Sequence, residues 1–135
     1  MSAATAGNGC LLDTCTVLHA LSDPDALSLA ARKAILAGPN LISVVSYWEV
    51  MLKSIKGTLE VGDPRTWWFD VLEQLAATPL LLRPQHIAAV YALPSHHKDP
   101  FDRVLVAQAT VEGLALISID AVVARYASKS LRVVG

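Results

Sequence analysis

Residues 41–56, LISVVSYWEVMLKSIK, carry the pattern that decides the fold of this chain. LISVV is a continuous apolar run without alternating polar positions, which predicts a short strand buried on both faces. SYWEVMLKSIK then predicts a helix that begins at Ser46 and ends at Gly57. A buried strand followed at once by a helix is typical of proteins with a parallel sheet between two helical layers.

The same alternation of strands and helices continues along the rest of the chain. Further apolar segments predict strands at GCLL (9–12), PLLLR (79–83), LALISI (114–119) and, at an edge, LRVV (131–134). Further helices are predicted at TVLHALSD (16–23), DALSLAARKAILAG (25–38), DPRTWWFDVLEQLAA (63–77), PQHIAAVYAL (84–93), DPFDRVLVAQATVE (99–112) and AVVARYA (121–127). We therefore expect an α/β fold, a single three-layer α/β/α domain over residues 9–135 with a mostly parallel central sheet of four to five strands, after a flexible tail at residues 1–8.

The composition indicates an ordered domain with a substantial core. The chain has 135 residues, of which 53% are hydrophobic and 17% charged, and its formal net charge is −1. These values argue against disorder. Because the net charge is close to zero, no global positive field would recruit a nucleic acid, so such a substrate would need a local basic cluster or a bound cation.

Neither the cysteines nor the N-terminus indicates an exported or membrane protein. Cys10 and Cys15 have the spacing of neither a redox pair nor a zinc site, and both are predicted to be small core residues. The start of the chain, MSAATAGNG, lacks the basic region of a signal peptide. No apolar run approaches the ~18 residues of a membrane span. We expect no contact with a membrane and a location in the reducing cytoplasm.

The segment HHKDPFDRVLVAQA, residues 96–109, combines a helix start with two carboxylates. Asp99 fits an N-cap and Pro100 fits the first helical position. Asp102 falls in the first turn, where a negative charge suits the helix dipole. Taken alone, the segment therefore indicates the start of a buried helix.

Four acidic residues fall where predicted strands end or neighbouring helices begin, namely Asp13, Glu49, Asp102 and Asp120. Each has a structural alternative, because Asp13 and Asp120 could cap the helices that follow them, and Ser46 with Glu49 fits a capping box. Together they lie at the carboxyl ends of parallel strands, where α/β proteins gather functional groups. Such carboxylates repel unless a cation lies between them, and Mg²⁺ or Mn²⁺ suits oxygen ligands.

Four segments resemble those of one known family, in order and with matching spacing: LLDT (11–14), SYWEVMLKSIKGTLE (46–60), HKDPFDRVLVAQA (97–109) and LISID (116–120). The family is that of the PIN-domain ribonucleases, and the resemblance is closest to the VapC-type toxins of bacterial toxin–antitoxin pairs. It implies an endonuclease that binds Mg²⁺ or Mn²⁺ and hydrolyses RNA. It also implies a homodimer and a hetero-oligomer with a cognate antitoxin, which wraps around the toxin and blocks its site.

The resemblance also implies roles for the acidic residues. By it, Asp13, Asp102 and Asp120 hold the metal ion directly or through water. Glu49 completes the catalytic set and orients or deprotonates the attacking water, as in general-base catalysis. Asp99 has a capping or outer role, because Asp102 matches the acidic position of the wider family.

Other residues are expected around this acidic set. Ser118 keeps the hydroxyl that relatives often supply from a threonine, and Cys15 stands where many relatives have a histidine. Basic side chains at the rim could contact phosphates without reading sequence, and an ordinary solvated face is the alternative interpretation. These basic residues are Lys53, Lys56, Lys98 and Arg103.

Two groups of residues have more than one interpretation. His96 and His97 suggest a transition-metal site, but adjacent loop histidines usually point apart and no third histidine or cysteine stands at ligand spacing, so we expect surface or substrate-side residues. In TWWF, residues 66–69, Trp68 fits the core-facing side of its helix. Trp67 and Phe69 fall beside that side and either pack on a partner or lie under the preceding loop.

Two other classes of function agree less well with the sequence. A phosphotransfer enzyme or receiver module with Asp13 as its acceptor would need a second Asp at position 15, or an acidic pair before Asp13. The chain has Cys15 and GCLL in those places. A catalytically silent interaction domain is the remaining alternative, and the presence of all four carboxylates argues against it.

Overall fold

Five short strands form one parallel sheet in the computed structural model, which describes residues 9–135. The strands are β1 (Cys10–Leu12), β2 (Asn40–Ser43), β3 (Ala77–Leu80), β4 (Ala115–Ile117) and β5 (Val133–Val134). Their spatial order is β3-β2-β1-β4-β5, and each neighbouring pair is parallel. Because β1 is central, Asp13 directly after it lies in the middle of the carboxyl edge of the sheet. The tail predicted at residues 1–8 lies outside the described residues.

Seven α-helices pack around the sheet in the described part of the chain. They are α1 (Thr14–Ser22), α2 (Leu29–Ala37), α3 (Val44–Lys56), α4 (Pro64–Gln74), α5 (Pro84–Val90), α6 (Pro100–Glu112) and α7 (Ala121–Ala124), with a short 3₁₀ turn at Pro24–Ala26. Within residues 9–135, no helix combines the length and apolar character needed to cross a membrane.

The two faces of the sheet carry separate parts of the core. Successive residues of a strand point to opposite faces, and Leu11 and Leu12 of β1 are both fully buried. Leu12 packs in a cluster with residues of α1, α2 and α4, such as Trp68, whereas Leu11 packs with residues of α6 and α7, such as Leu105. The predicted three-layer α/β/α architecture is therefore confirmed, with five strands in its sheet.

The boundary between β2 and α3 differs from the prediction. The strand predicted at residues 41–45 ends at Ser43, whose Oγ accepts the Val45 N–H at 3.0 Å and caps α3. The helix therefore begins directly after Ser43 rather than at Ser46, and the capping box of Ser46 with Glu49 does not form. The valines of this segment suit a strand or a helix equally well, so the serine hydroxyl decides where the helix starts. Glu49 consequently lies in the second turn of α3 instead of the first.

Most of the other predicted elements differ from the observed ones by one or more residues at their ends. The helix predicted at 25–38 is interrupted, because α2 begins only after Ser28, whose Oγ accepts the Ala31 N–H at 3.0 Å. The strand predicted at 79–83 is shifted towards the N-terminus and becomes the edge strand β3, where Pro79 is tolerated. At the other edge, β5 is shorter than predicted. Helix α6 has its predicted bounds.

Side-chain burial corrects the prediction for Cys15 and shows where Trp67 and Phe69, whose positions the sequence left open, lie in the fold. Cys10 is buried as predicted, but Cys15 is exposed, because it lies on the solvent-facing side of the first turn of α1. In α4, Trp67 and Trp68 are both buried, whereas Phe69 is 68% exposed. The core therefore takes both tryptophans and leaves the phenylalanine at the surface.

Gly9 provides a test of how tightly the start of β1 is packed. Its φ is +95°, and a Cβ built on it would lie 2.3 Å from the Pro39 carbonyl oxygen. We expect Gly9→Ala to lower the free energy of unfolding by about 2–4 kcal/mol, because the backbone conformation and the close approach both disfavour a side chain. Urea unfolding followed by circular dichroism measures this change.

Gly62→Ala is the matched control for that variant. Gly62 also has a positive φ, +76°, but a Cβ there would meet no atom within 4 Å. Gly62→Ala should lower the free energy of unfolding by about 1–2 kcal/mol, because only the left-handed backbone conformation disfavours the side chain there. Equal losses of stability in the two variants would show that the contact with Pro39 does not matter.

Candidate metal centre

Two helix N-termini bring carboxylates to the carboxyl ends of β1 and β4. Asp13 follows β1 and caps α1, its Oδ1 accepting the Thr16 N–H at 2.9 Å. Asp120 lies just beyond β4 and caps α7 by accepting the Val122 N–H at 2.8 Å. Ser118 links the two, because its Oγ accepts the Asp120 N–H at 3.1 Å and its side chain is hydrogen-bonded to Asp13. Because β1 and β4 are neighbours in the sheet, the caps of the helices that follow them place two carboxylates side by side.

Helix α6 contributes a third carboxylate through its first turn. Asp99 is its N-cap, with Oδ1 accepting the Phe101 N–H at 2.8 Å and the Asp102 N–H at 3.4 Å. The Asp102 side chain is 19% exposed. It interacts electrostatically with Asp99, Asp13 and Glu49, which places it in the same cluster of negative charge.

Glu49 reaches the cluster from the second turn of α3 and is buried. Its Oε1 accepts the Thr14 hydroxyl proton at 2.8 Å, and its Oε2 lies 2.7 Å from the Lys53 Nζ. The hydrogen bond to Glu49 raises the pKa of Lys53, which favours its charged form. Both oxygens of Glu49 are thus compensated by neighbouring side chains.

His97 lies inside the acidic cluster, from the loop before α6. Its Nε2 is 2.9 Å from the Asp120 Oδ2 and 3.2 Å from the Asp102 Oδ2, and its Nδ1 accepts the Asp99 N–H at 3.1 Å. The sequence predicts a surface or substrate-side residue and does not reveal these contacts. The signal that could have indicated them is spacing, because His97 precedes the cap residue of α6 by two positions.

The charges of the cluster change the pKa values of its members. Burial, followed by the charges of Asp99, Asp13 and Glu49, raises the pKa of Asp102 to about 7. Burial also raises the pKa of Asp13, against the hydrogen bonds that it accepts. Burial acts in the same direction on Asp120, but the hydrogen bonds from His97 and from backbone N–H groups outweigh it, so the pKa of Asp120 is lowered.

The hydrogen bonds of the cluster leave Asp102 as its least compensated carboxylate. Within residues 9–135, His97 is the one donor at bonding distance from the Asp102 side chain, and its Nε2 is closer to Asp120. The hydrogen bond to Asp120 raises the pKa of His97 and the charges of the neighbouring carboxylates act in the same direction, while burial opposes that shift. The cluster therefore holds more negative charge than its donors balance.

This arrangement suits a divalent cation. One atom from each of His97, Asp102 and Asp120 lies within 4.8 Å of the other two, and Asp13 adjoins Asp120. Carboxylate oxygens are the ligands that Mg²⁺ and Mn²⁺ prefer, and a cation would offset the repulsion that, together with burial, raises the pKa of Asp102.

The remaining predicted residues surround the cluster in different ways. Arg103 donates to the Pro94 carbonyl oxygen at 2.9 Å and to the Tyr126 hydroxyl oxygen at 3.2 Å, so it anchors the loop before α6 instead of extending to the solvent. The ring of His96 packs edge-on against Tyr126, with centroids 4.9 Å apart. Lys56 and Lys98 are exposed.

Comparison with known proteins agrees with this architecture. The sequence model of the PIN domain matches residues 10–129, whereas no curated protein sequence matches the chain significantly.

Solved structures that share the fold include the following three. A DNA-bound VapBC from Salmonella typhimurium has a TM-score of 0.66 at 16% identity, covering 93% of this chain and 96% of that one. VapBC2 from Rickettsia felis, bound to a promoter DNA fragment, has a TM-score of 0.64 at 12% identity, covering 92% and 96%. A toxin–antitoxin complex from Klebsiella pneumoniae has a TM-score of 0.58 at 21% identity, covering 94% and 97%.

The raised pKa of Asp102 predicts how the metal-free protein responds to pH. Its pKa is about 7 in the folded chain against 3.8 for the free side chain, so the folded state binds more protons between these values and stability falls as pH rises through them. As pH rises from 5 to 8, the free energy of unfolding of the wild type should therefore fall by about 2–3 kcal/mol relative to that of Asp102→Asn, which lacks the titrating carboxylate. Urea unfolding in chelator measures the difference.

Asp70→Asn is the control for the pH experiment, because Asp70 is exposed on α4. Its stability should follow that of the wild type across the same pH range. A constant difference between Asp102→Asn and wild type at all pH values would show that Asp102 ionises normally in the folded chain.

Proposed function

Because the chain belongs to the PIN domain family, we propose that it is a divalent-metal-dependent endoribonuclease and the toxin of a type II toxin–antitoxin pair, acting in the cytoplasm. The observation that carries the proposal is the convergence of carboxylates from three helices on one point, with Asp102 held there at a pKa of about 7. A structural cap needs no such convergence, whereas a metal site does.

Asp13, Asp102 and Asp120 would hold the Mg²⁺ or Mn²⁺ ion. When bound, such an ion supplies a contact for the phosphate and lowers the pKa of a bound water. Ser118 orients Asp13 and Asp120 relative to each other, and backbone N–H groups of α1 and α7 fix one oxygen of each.

Glu49 is suited to orient the attacking water and accept its proton. Thr14 and Lys53 hold its two oxygens in place, so the carboxylate is oriented before a substrate arrives. Lys53 is 48% exposed and lies beside the cluster, where its ammonium group can approach a phosphate oxygen of the RNA. A cation and Lys53 together would offset the absence of a net positive charge on the chain.

The proposed protein partners are a cognate antitoxin and a second copy of this chain. Each of the three solved structures named above contains a VapBC or toxin–antitoxin complex. The exposed face of α3 supports a protein partner, because Trp48 is 57% and Ile55 74% exposed, with Leu52 between them. Large apolar side chains at this helical spacing form a continuous strip, which a partner could cover.

The proposal predicts metal-dependent cleavage of RNA by the purified chain without a partner. A mixed panel of RNAs would be incubated with Mg²⁺, with Mn²⁺ or with chelator. We expect cleavage in either metal and none in chelator. Asp13→Asn and Asp102→Asn should each reduce the rate by about 100-fold or more, because even residues that only orient metal ligands contribute 10–100-fold.

Asp70→Asn serves as the control and should cut at the wild-type rate. Cleavage that persists in chelator would refute the metal-dependent mechanism. A folded Asp102→Asn variant with full activity would remove Asp102 from the metal ligands. Failure of the folded chain to bind either metal would favour the silent interaction domain instead.

A further inference from the structure

We propose that His97 is a positioning residue of the acidic site, a fixed N–H donor to Asp102 and Asp120 that stays outside the ligand shell of a bound cation. This inference rests on the proposed function, because it concerns the same metal site. The distance of His97 from the two carboxylates would suggest that it is a third metal ligand. The proposed role is different, because His97 donates to these carboxylates and does not bind the cation.

The partner of the Nδ1 atom determines which nitrogen of His97 carries the proton. Nδ1 lies 3.1 Å from the Asp99 backbone nitrogen, which is always a donor. Nδ1 must therefore offer its lone pair, and the proton of the neutral ring lies on Nε2, the atom that faces the carboxylates.

This tautomer is the opposite of the one found in metal-binding histidines. A ligating nitrogen must be unprotonated, and the other ring nitrogen then donates its proton to a carbonyl or a carboxylate. In His97 the nitrogen remote from the site meets the Asp99 N–H, which cannot accept that proton. Coordination through Nε2 would leave two hydrogens facing each other between Nδ1 and Asp99.

As a donor, the Nε2–H group joins carboxylates from two different helices. It lies 2.9 Å from the Asp120 Oδ2 at the start of α7 and 3.2 Å from the Asp102 Oδ2 in the first turn of α6. One shared proton thus opposes the repulsion between these carboxylates and keeps one oxygen of each within 4.8 Å of the other. A cation would then meet ligands that already converge.

The loop that carries His97 is fixed to the body of the domain. The His97 backbone N–H donates to the Tyr126 hydroxyl oxygen at 2.9 Å, and Arg103 donates to the same oxygen and to the Pro94 carbonyl. The ring is therefore held through its own backbone and through Nδ1, as a positioning residue must be. His96, which packs on Tyr126 outside the cluster, provides a matched control for substitutions.

Nitrogen-15 NMR of the histidine side chains tests the tautomer directly. Labelled full-length protein at pH 8 would be recorded without metal and during a titration with Mg²⁺, with signals assigned from His97→Gln and His96→Gln. We expect His97 to show an unprotonated Nδ1 and a protonated Nε2, and to keep both on adding Mg²⁺. A proton on Nδ1, or loss of the Nε2 proton on metal binding, would overturn the proposal.

Mn²⁺ affinity tests the positioning role. Electron paramagnetic resonance of Mn²⁺ would compare the wild type with His97→Phe, which keeps a ring but no donor, and His97→Gln, which keeps an N–H donor. We expect His97→Phe to weaken binding about 10–100-fold. His97→Gln should recover most of that loss, and His96→Phe should bind as the wild type does. Circular dichroism confirms that each variant is folded.

Different results separate this inference from the proposed function. Nitrogen hyperfine coupling to Mn²⁺ that disappears in His97→Gln would make His97 a ligand, which overturns the inference and leaves the metal site intact. Unchanged affinity in folded His97→Phe would also overturn it. If the wild-type chain binds neither Mn²⁺ nor Mg²⁺, the metal-dependent function and the inference fail together.

Discussion

Mutual repulsion among carboxylates at the carboxyl edge of the sheet is the constraint to which the rest of the site responds. Asp13 and Glu49 are both buried, and Asp102 and Asp120 adjoin them. Unpaired charges at such sites are costly. Hydrogen-bond donors offset this repulsion: backbone N–H groups at helix N-termini, hydroxyl groups and an ammonium group bind carboxylate oxygens, and the imidazole of His97 lies at bonding distance from two of them. Asp102 has the fewest donors, and burial together with the charges of its neighbours raises its pKa.

Helix capping and metal binding are compatible roles for the same side chain. A carboxylate oxygen has more than one lone pair, and a carboxylate has two oxygens. Asp120 uses Oδ1 for the backbone of α7 and Oδ2 for His97, and Asp13 uses Oδ1 for the backbone of α1. The caps also aim the side chains, because each N-cap carboxylate must bend back over its own helix. Side chains that stabilise helix N-termini are thereby also positioned to form one shared site.

The parts of the structure that depend on neighbours in sequence could be predicted, and those that depend on distant contacts could not. Helix α6 has its predicted bounds because Asp99, Pro100 and Gly113 act within one turn of its ends. The predicted start of α3 is wrong because the apolar residues there suit a strand or a helix, and the Ser43 hydroxyl decides where the helix begins.

The candidate site divides in the same way between local and distant contacts. The four acidic positions were predictable because each lies at or near a strand end, and strand ends of a parallel sheet share one edge. The contact of His97 with Asp120 joins residues that are 23 positions apart, and that of Arg103 with Tyr126 is equally distant. Neither contact leaves a periodic signal in the sequence. The exposure of Cys15 likewise follows from how α1 rotates against the sheet.

The two edges of the sheet limit how the domain can assemble. Edge strands are the usual place for two proteins to join by extending a common sheet. Here β3 contains Pro79, which lacks one of the N–H groups that a further strand would need, and β5 consists of two residues. Neither edge is therefore a good template for an added strand. Association with another chain is left to the outer surfaces of the helices, so the sheet can keep its geometry whether or not the domain is bound.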